Sequence, residues 1–135
     1  MLDYGSETAK TILNQSETAR TATVIELVGD VGVGKTTFTR GLAKGLDIKE
    51  PVTSPSFTIS KTYALKNGGN LIHYDFYRLQ DPGLMAEDLT ENLHNPKNII
   101  VIEWGESISN LLPENHLKIT INYTDDNARK ITINQ

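Results

Sequence analysis

The spacing of hydrophobic positions predicts a chain in which helices and strands alternate. In the first segment, Ala9, Ile12 and Leu13 recur at the spacing of one helical face, which predicts an amphipathic helix over residues 6–20. Ser6 precedes this face and is the predicted N-cap, because its hydroxyl can accept a hydrogen bond from a free N–H group of the first turn. The simplest role for such a helix is to pack on a sheet.

Apolar residues further along the chain favour strands. A short apolar run at residues 24–28 predicts a strand, and four consecutive apolar residues at 99–102 predict a strand that is buried on both faces. Two further pairs of segments are strand-like and are joined by turn-forming residues, which predicts two antiparallel hairpins. The hairpins comprise residues 58–65 with 71–77 and residues 117–123 with 130–134.

Three segments between the strands favour helices. Residues 38–46 follow the first strand after a glycine-rich loop. A second helix is predicted to begin at Asp81-Pro82, an N-cap followed by proline in the first helical position. Its predicted apolar side consists of Leu84, Met85 and Leu89. Residues 107–112 predict a short third helix.

The glycine-rich loop after the first strand carries the clearest chemical signal. Residues 29–36 read Gly-Asp-Val-Gly-Val-Gly-Lys-Thr and fit the pattern G-x-x-x-x-G-K-[ST], in the required order of strand, loop and helix. Glycines let successive backbone N–H groups turn inward toward a triphosphate, and the following helix adds the positive end of its dipole. Lys35 is predicted to reach the β- and γ-phosphates, and Thr36 to bind Mg²⁺. The loop predicts a nucleoside triphosphate site.

With this loop in place, the elements predict an α/β protein with a three-layer fold like that of P-loop NTPases, in which a mixed central sheet has a parallel core and antiparallel hairpins. The 135 residues and a hydrophobic content of 38% suffice for one core, so we expect a single domain over residues 1–135. No apolar run is long enough to span a membrane, and the first residues lack the pattern of a signal peptide. We therefore expect a cytoplasmic protein.

Composition narrows the chemistry. The chain has no cysteine, which excludes thiolate catalysis and cysteine-bound zinc, and its three histidines are too scattered to predict a metal cluster. Any metal is therefore expected to be bound by oxygen. A net charge of −4 argues against an extensive interface with nucleic acid, which requires a basic face. Any connection to RNA is expected to run through a partner.

Two acidic residues fall where a phosphate site needs them. Asp75 is predicted in the middle of a strand, on the same face as His73 and Tyr77, where an unpaired charge is costly. It is therefore either at the edge of the sheet or functional. Glu103 follows the buried strand 99–102, and a hydrophobic strand that ends in an acid is the Walker B arrangement that holds Mg²⁺ or its waters.

Several other positions have two interpretations. Residues 48–57, which contain two prolines and several hydroxyl residues, form either a connecting loop or a sensor of the γ-phosphate. Trp104 either packs in the core or lies beside the nucleotide or a partner. Thr8 is expected to pack and Arg129 to be exposed, and contact with the base is the less favoured alternative for each.

The rest of the chain discriminates among proteins with such a loop. No N-K-x-D string for guanine occurs, which argues against a GTPase. A small-molecule kinase needs an arginine-rich lid, and the four arginines of the chain do not form one. What remains is an ATP site with two acids and little room for a second substrate. Such a protein is expected to act on a partner.

Four motifs occur in order along the chain. They are the phosphate loop at residues 29–41, then Ser54-Pro55-Ser56-Phe57, His73-Tyr74-Asp75-Phe76-Tyr77-Arg78-Leu79 and Ile102-Glu103-Trp104. This set resembles that of the TsaE family, also called YjeE, and the last two motifs are far more specific than the loop. The resemblance implies a bacterial cytoplasmic ATPase that uses ATP and Mg²⁺. It also implies a requirement for threonylcarbamoyladenosine formation in tRNA, together with the TsaD and TsaB proteins.

The resemblance further implies roles for individual residues. The residues implied to bind the phosphates are Gly32, Val33, Gly34, Lys35, Thr36 and Thr37. The implied neighbours of the rest of the nucleotide are Thr8, Trp104 and Arg129. Catalysis is implied for Lys35, Asp75 and Glu103, and Mg²⁺ binding for Thr36 and Glu103.

Two functions agree with this pattern. In the first, ATP hydrolysis resets a TsaD–TsaB complex between catalytic cycles, and Asp75 positions or deprotonates the attacking water. In the second, occupancy by ATP or ADP alone switches the affinity for the partner, and hydrolysis is incidental. A small-molecule kinase is a less favoured third.

Overall fold

The computed structural model describes residues 2–13, 21–29, 34–53, 60–77, 83–124 and 129–134. The elements within these ranges, in chain order, are α1 Leu2–Leu13, β1 Thr23–Val28, α2 Lys35–Gly45, β2 Ser60–Ala64, β3 Asn70–Asp75, α3 Gly83–Leu93, β4 Ile99–Glu103, the 3₁₀ helix Gly105–Leu111, β5 Leu117–Tyr123 and β6 Arg129–Asn134. Every one of these strands overlaps a segment that the hydrophobic pattern predicts to be a strand.

The strands form one mixed sheet in the order β2-β3-β4-β1-β5-β6. β1 pairs in parallel with β4 and β5, and β4 pairs in parallel with β3, so the four central strands run in one direction. β2 and β6 are antiparallel to β3 and β5, which places the two predicted hairpins at the two sides of the sheet. The predicted α/β fold, with its parallel core and antiparallel hairpins, is confirmed.

Side chains from the two faces of the sheet enter two separate cores. Ile25 and Val101 pack with α1 and α2 on one face. Val24 and Ile100 pack with α3 and the 3₁₀ helix on the other face. Successive residues of a strand point to opposite faces, so strands covered on both faces are apolar at nearly every position. This arrangement gives the three predicted layers.

The first helix begins earlier than predicted. α1 starts at Leu2, and Ser6 lies inside it, where its hydroxyl donates a hydrogen bond to Gly41 O on α2 at 2.9 Å. Ser6 is therefore not the N-cap, because it serves a contact between two helices instead of the end of one. Residues 14–20 of the predicted helix lie outside the described residues.

The close packing of α1 on α2 explains why the helix extends over the earlier residues. A side chain added at Gly5 would come within 2.2 Å of Phe38 O, so only glycine allows the two backbones to approach this closely. Ala9 and Ile12, on the predicted apolar face, are buried in the core that contains residues of α2 and of the sheet. The helix thus buries its apolar face on α2 as well as over the sheet.

The helix α3 confirms part of its predicted apolar side. Leu89 is fully buried and Met85 is partly buried against the same core. Leu84 is 80% exposed, so its assignment to the apolar side was wrong. Successive residues of a helix are rotated by about 100° around its axis. Leu84, one residue before Met85, is therefore turned away from the sheet. The predicted start at residues 81–82 lies outside the described residues, and the described helix begins at Gly83.

The predicted short third helix is a 3₁₀ helix, and it starts earlier than expected, at Gly105. It follows β4 almost directly and packs Ile108 against the core on the α3 face. None of the helices in the described ranges is long and apolar enough to cross a membrane.

Candidate functional site

The candidate site lies at the carboxyl ends of the central strands. β1 ends at Val28 and leads into the phosphate loop, β3 ends at Asp75, and β4 ends at Glu103. Asp75 is opposite Glu103 in the register of β3 and β4, and Leu27 is opposite Glu103 on the other side. α2 begins at Lys35, after the loop. The parallel core thus brings both acids to the loop although they are remote from it in sequence.

Lys35 is held by three contacts. Its Nζ donates a hydrogen bond to Gly29 O at 2.7 Å, lies 3.7 Å from Glu103 Oε1 and lies 4.2 Å from the centre of the Trp104 ring. Its side chain is only 5% exposed, and the buried charge is balanced by the carboxylate, the carbonyl and the ring face. Gly34, just before it, has φ of 116°, in the left-handed region that glycine adopts readily. The amine of Lys35 thus lies at the carboxyl edge of the sheet.

The start of α2 offers N–H groups at the same place. Gly34 occupies the N-cap position, so no side chain caps the first turn, and that turn carries no acidic residue. Thr36 and Thr37 lie in it and are partly exposed. Free N–H groups and the positive end of the helix dipole both favour an anion such as phosphate. Gly32 and Val33 lie outside the described residues.

Glu103 contacts a histidine to which the sequence pattern assigned no role. His73 Nε2 lies 2.5 Å from Glu103 Oε2, and His73 is fully buried. The alternation along its strand placed His73 on the same face as Asp75, and this was the available signal. The contact itself depends on the pairing of β3 with β4, which alternation does not specify.

Asp75 is the last residue of β3, so the strand ends earlier than predicted and the carboxylate is not in mid-strand. Its Oδ1 accepts a hydrogen bond from Tyr77 N at 2.9 Å. The pKa of Asp75 is raised above its ordinary value, mainly by burial and further by the charge of Glu103. The hydrogen bond from Tyr77 N–H and the electrostatic effects of His73 and Lys35 lower the pKa of Asp75, each by less than burial raises it. A carboxylate with an increased proton affinity suits a group that accepts a proton.

Trp104 lies beside the lysine in a strained conformation. Its φ of 57° is left-handed, which costs a residue other than glycine roughly 1–2 kcal/mol. Its ring is partly buried against the core on the α3 face and lies 4.8 Å from the Tyr77 ring, centre to centre. Together with the contact to Lys35, the strained backbone favours the functional interpretation of Trp104 over packing alone.

The outlying predicted residues lie in different places. Thr8 is in α1, where its hydroxyl donates to Tyr4 O at 3.0 Å. Arg129 begins β6 opposite Tyr123 and so stands at the same edge of the sheet as the acids, but its side chain is outside the described part. The candidate γ-phosphate sensor, residues 48–57, lies partly outside it as well, at residues 54–57. Contact of these residues with a nucleotide stays a prediction.

A pocket of about 200 Å³ opens beside Lys35 and Trp104. Its other walls include the end of β1, the acids Glu26 and Glu106, and Asn122 of β5. Pockets that hold a whole small molecule usually have about 300–1,000 Å³. The expectation of little room for a second substrate stays a prediction.

The residues present fit Mg²⁺ bound together with a nucleotide. Mg²⁺ prefers oxygen and usually takes one or two ligands from the protein, with phosphates and water supplying the others. Glu103 offers a buried carboxylate, and Thr36 offers a hydroxyl in the first turn of α2. The described ranges contain no group of three or more histidine or acidic residues that could hold a metal. An ion at Glu103 would therefore depend on the nucleotide for its remaining ligands.

The fold and the site define a class of protein. A parallel core, a glycine-rich loop after β1 and acids at the ends of neighbouring strands form an α/β architecture like that of P-loop proteins. The crystal structure of YdiB from Bacillus subtilis has this fold as well, with a TM-score of 0.69 and 35% identity over 98% of this chain and 79% of that chain.

Sequence comparison identifies the family. The family model described as "Threonylcarbamoyl adenosine biosynthesis protein TsaE" matches residues 3–131. A protein of Bacillus subtilis named tRNA threonylcarbamoyladenosine biosynthesis protein TsaE is 41% identical over 84% of this chain and 70% of its own length. One of the same name from Haemophilus influenzae is 35% identical over 98% and 82%. The chain belongs to the TsaE family, whose proteins are involved in tRNA threonylcarbamoyladenosine biosynthesis.

Proposed function

We propose that this protein binds and hydrolyses ATP with Mg²⁺, and that this activity is required for the threonylcarbamoyladenosine modification of tRNA. The observation that carries the proposal is the meeting of Lys35, Asp75 and Glu103 at the start of α2. They supply a cation for phosphate oxygens, an acid whose pKa is raised and an acid for the metal. These are the groups that phosphoryl transfer to water requires.

The phosphates bind at the loop and the first turn of α2. Lys35 moves from Gly29 O and Glu103 to the β- and γ-phosphates, whose charges attract an ammonium more strongly than a carbonyl does. Backbone N–H groups of residues 32–37 bind other phosphate oxygens. Thr8, Trp104 and Arg129 are the proposed neighbours of the rest of the nucleotide.

The two acids, Glu103 and Asp75, have different roles. Glu103 and Thr36 would hold Mg²⁺, which would supply positive charge to neutralise the phosphate oxygens. Asp75 orients the attacking water and accepts its proton as the new bond to the γ-phosphorus forms and the bond to the bridging oxygen breaks. Its raised pKa makes it a stronger base than an ordinary aspartate. Lys35 stabilises the charge on the transferred group.

We further propose that hydrolysis acts on a complex of TsaD and TsaB and resets it between catalytic cycles. A net charge of −4 is unfavourable for direct binding to tRNA, so these partners provide the contact with tRNA. A cytoplasmic location, together with the tRNA, belongs to the same proposal.

A nucleotide-dependent binding switch is the second candidate. Lys35 contacts Trp104, and Trp104 contacts Tyr77, which is 43% exposed. A nucleotide that draws Lys35 away changes the support of this aromatic pair at the surface. Occupancy alone then alters the affinity for a partner, without any need for hydrolysis.

The variant Asp75→Asn separates the two candidates in a modification assay reconstituted with TsaD, TsaB and tRNA. We expect ATP binding to persist, hydrolysis to fall by about 10²–10⁴-fold and the assay to stop after a single cycle. Asp47→Asn is the matched control, because this exposed aspartate follows the far end of α2 and should leave all three measurements unchanged.

Three results would contradict the proposal in different ways. Multiple cycles of modification by Asp75→Asn, with hydrolysis lost, would support the switch in place of the reset. Transfer of labelled phosphate from ATP to a small molecule, in place of release as inorganic phosphate, would support a kinase. An ATPase rate that TsaD and TsaB leave unchanged would remove the proposed partners.

A further inference from the structure

His73 is a polar residue in an apolar core with one unpartnered nitrogen. Its side chain is 0% exposed and lies on the same face of β3 as Leu71, which belongs to the core beneath α2. Its Nδ1 has no hydrogen-bond partner in the described part of the chain. A buried polar atom without a partner costs about 1–3 kcal/mol, which an apolar side chain would avoid. Core packing alone does not explain a histidine at this position.

Another histidine–glutamate contact in the molecule is built differently. His116 Nδ1 lies 2.6 Å from Pro113 O, and its Nε2 lies 3.2 Å from Glu26 Oε1, so both nitrogens have partners. Its side chain is 21% exposed. The hydrogen bonding of His116 is complete in the folded chain, as expected for a structural residue. His73, by contrast, has its described hydrogen bond only with Glu103.

The two oxygens of Glu103 have neighbours of different kinds. Oε2 lies 2.5 Å from His73 Nε2, whereas Oε1 lies 3.7 Å from Lys35 Nζ, which is longer than a hydrogen bond. His73 is fixed within a buried strand, but Lys35 leaves for the phosphates in the proposed function. One oxygen is therefore anchored, and the other becomes available when a nucleotide binds.

We propose that His73 is a positioning residue that donates its Nε2–H to Glu103 Oε2 and keeps Oε1 directed toward Lys35 and the start of α2, where the metal and the phosphates bind. This inference rests on the proposed function, because it takes Glu103 to be a Mg²⁺ ligand. A residue that orients a metal ligand through a hydrogen bond commonly changes metal affinity or activity by about 10–100-fold when it is replaced.

Two amide substitutions at this position separate the hydrogen bond from the packing. The side-chain nitrogen of His73→Gln can take the position of Nε2 and reach Glu103, whereas that of His73→Asn takes the position of Nδ1 and stops short. Binding of Mn²⁺ in place of Mg²⁺ is measured by electron paramagnetic resonance on the complex with ADP, so that no turnover is involved. We expect His73→Asn to weaken Mn²⁺ binding by about 10–100-fold, and His73→Gln to bind nearly as the wild type does.

The outcomes distinguish a failure of this inference from a failure of the proposed function on which it rests. Wild-type Mn²⁺ binding by His73→Asn, or an equal loss in His73→Gln, would overturn the positioning role. A wild-type protein that binds no Mn²⁺ with ADP would instead remove the proposed function, and the inference with it. His94→Asn is the control, because this exposed histidine directly follows α3, on the other side of the sheet, where its Nδ1 lies 2.7 Å from Thr90 O. It should bind Mn²⁺ normally.

A second measurement uses the wild-type protein, so it does not depend on whether a variant folds. Nitrogen-15 spectra of the wild-type histidines, recorded without metal or nucleotide, report which ring nitrogen carries the proton. The inference requires a proton on Nε2 of His73, since Glu103 can only accept. A proton found on Nδ1 alone would contradict it.

Discussion

The two ends of β4 each carry a buried polar residue, and the chain stabilises them in opposite ways. Asn98 lies just before the strand and is 2% exposed; its side chain donates to Asn92 O and accepts from Asn70 N, each at 3.0 Å. Its backbone N–H and carbonyl are also bonded, to neighbouring backbone groups. Every polar group of Asn98 thus has a partner in the main chain, which ordinary motion does not remove.

The carboxylate of Glu103, at the other end, is contacted by side chains. One is His73, which leaves its own second nitrogen unpartnered among the described residues, and the other is Lys35. Asp75 beside it has a raised pKa, and Trp104 after it has a left-handed backbone. Unpartnered buried atoms and strained backbone conformations lower the stability of a protein and are found mainly at sites that bind a ligand. We therefore propose that the amino end of β4 stabilises the fold and that its carboxyl end carries the chemistry.

Glu103→Gln tests the carboxyl end and has the largest expected effect. Without the charge that holds the metal, the ATPase rate per folded molecule should fall by on the order of 100-fold or more. The rate is measured with TsaD and TsaB present, after the folded fraction has been determined by urea unfolding. A normal rate per folded molecule would mean that Glu103 is as structural as Asn98.

Asn98→Ala tests the amino end. The change leaves Asn70 N–H and Asn92 O without their side-chain partner, so the free energy of unfolding should fall by about 2–4 kcal/mol. Urea unfolding measures this loss, and the ATPase rate per folded molecule should be unchanged. Asn95→Ala is the control, because Asn95 is exposed and its side chain accepts a hydrogen bond from Lys97 N. A loss of rate in Asn98→Ala would break the proposed division between the two ends.

Asp75→Asn should stabilise the protein at neutral pH even though it lowers activity. Because the folded pKa of Asp75 is raised, the folded state binds its proton more tightly than the unfolded state does, and the associated stability is lost as the pH rises through that pKa. The neutral amide avoids this loss, so we expect a gain in the free energy of unfolding at neutral pH that disappears below the ordinary pKa of aspartate.

Urea unfolding over a pH series measures the effect of Asp75→Asn. Asp47→Asn provides a contrast of opposite sign, because a hydrogen bond and the charge of Lys66 lower the pKa of Asp47, and its contribution to stability is lost as the pH falls. If Asp75→Asn were less stable than the wild type at neutral pH, the carboxylate would be part of the structural framework.

Tyr74→Phe has the smallest expected effect, because it removes a buried hydroxyl whose partners, unlike those of Asn98, are side chains near the surface. The hydroxyl of Tyr74 donates to Asp88 Oδ2 at 2.6 Å and accepts from Asn92 Nδ2 at 2.8 Å. Asp88 is exposed and Asn92 is partly exposed, so water can replace the lost hydroxyl, and we expect a loss of only about 0.5 kcal/mol. Urea unfolding again provides the measurement. If Tyr74→Phe lowered the free energy of unfolding as much as Asn98→Ala does, the exposure of the hydrogen-bond partners would not determine how much stability is lost.

The local features of this molecule could be predicted from the sequence. A strand covered on both faces must be apolar along its length, as residues 99–102 are, and a phosphate loop must have its glycines and lysine at fixed spacing. Turn-forming residues likewise marked both hairpins. These constraints act over a few neighbouring residues, so the pattern expresses them directly. The family resemblance rested on motifs of the same kind.

The details that differ from prediction depend on neighbours distant in sequence. Ser6 is inside α1 because Gly5 lets that helix approach α2, and Leu84 is exposed because the phase of α3 is set by its contact with the sheet. The amphipathic pattern of an isolated segment does not contain these packing partners.

The phosphate loop, the alternation of helices and strands, and the two candidate acids could be predicted from the amino-acid sequence alone. The contact between His73 and Glu103 and the complete bonding of Asn98 by the main chain depend on how the strands assemble. Alternation assigns each side chain of a strand to a face, but the order of strands in the sheet decides which side chains share that face at contact distance. That order is set by the burial of both sheet faces under the helices, a property of the whole chain.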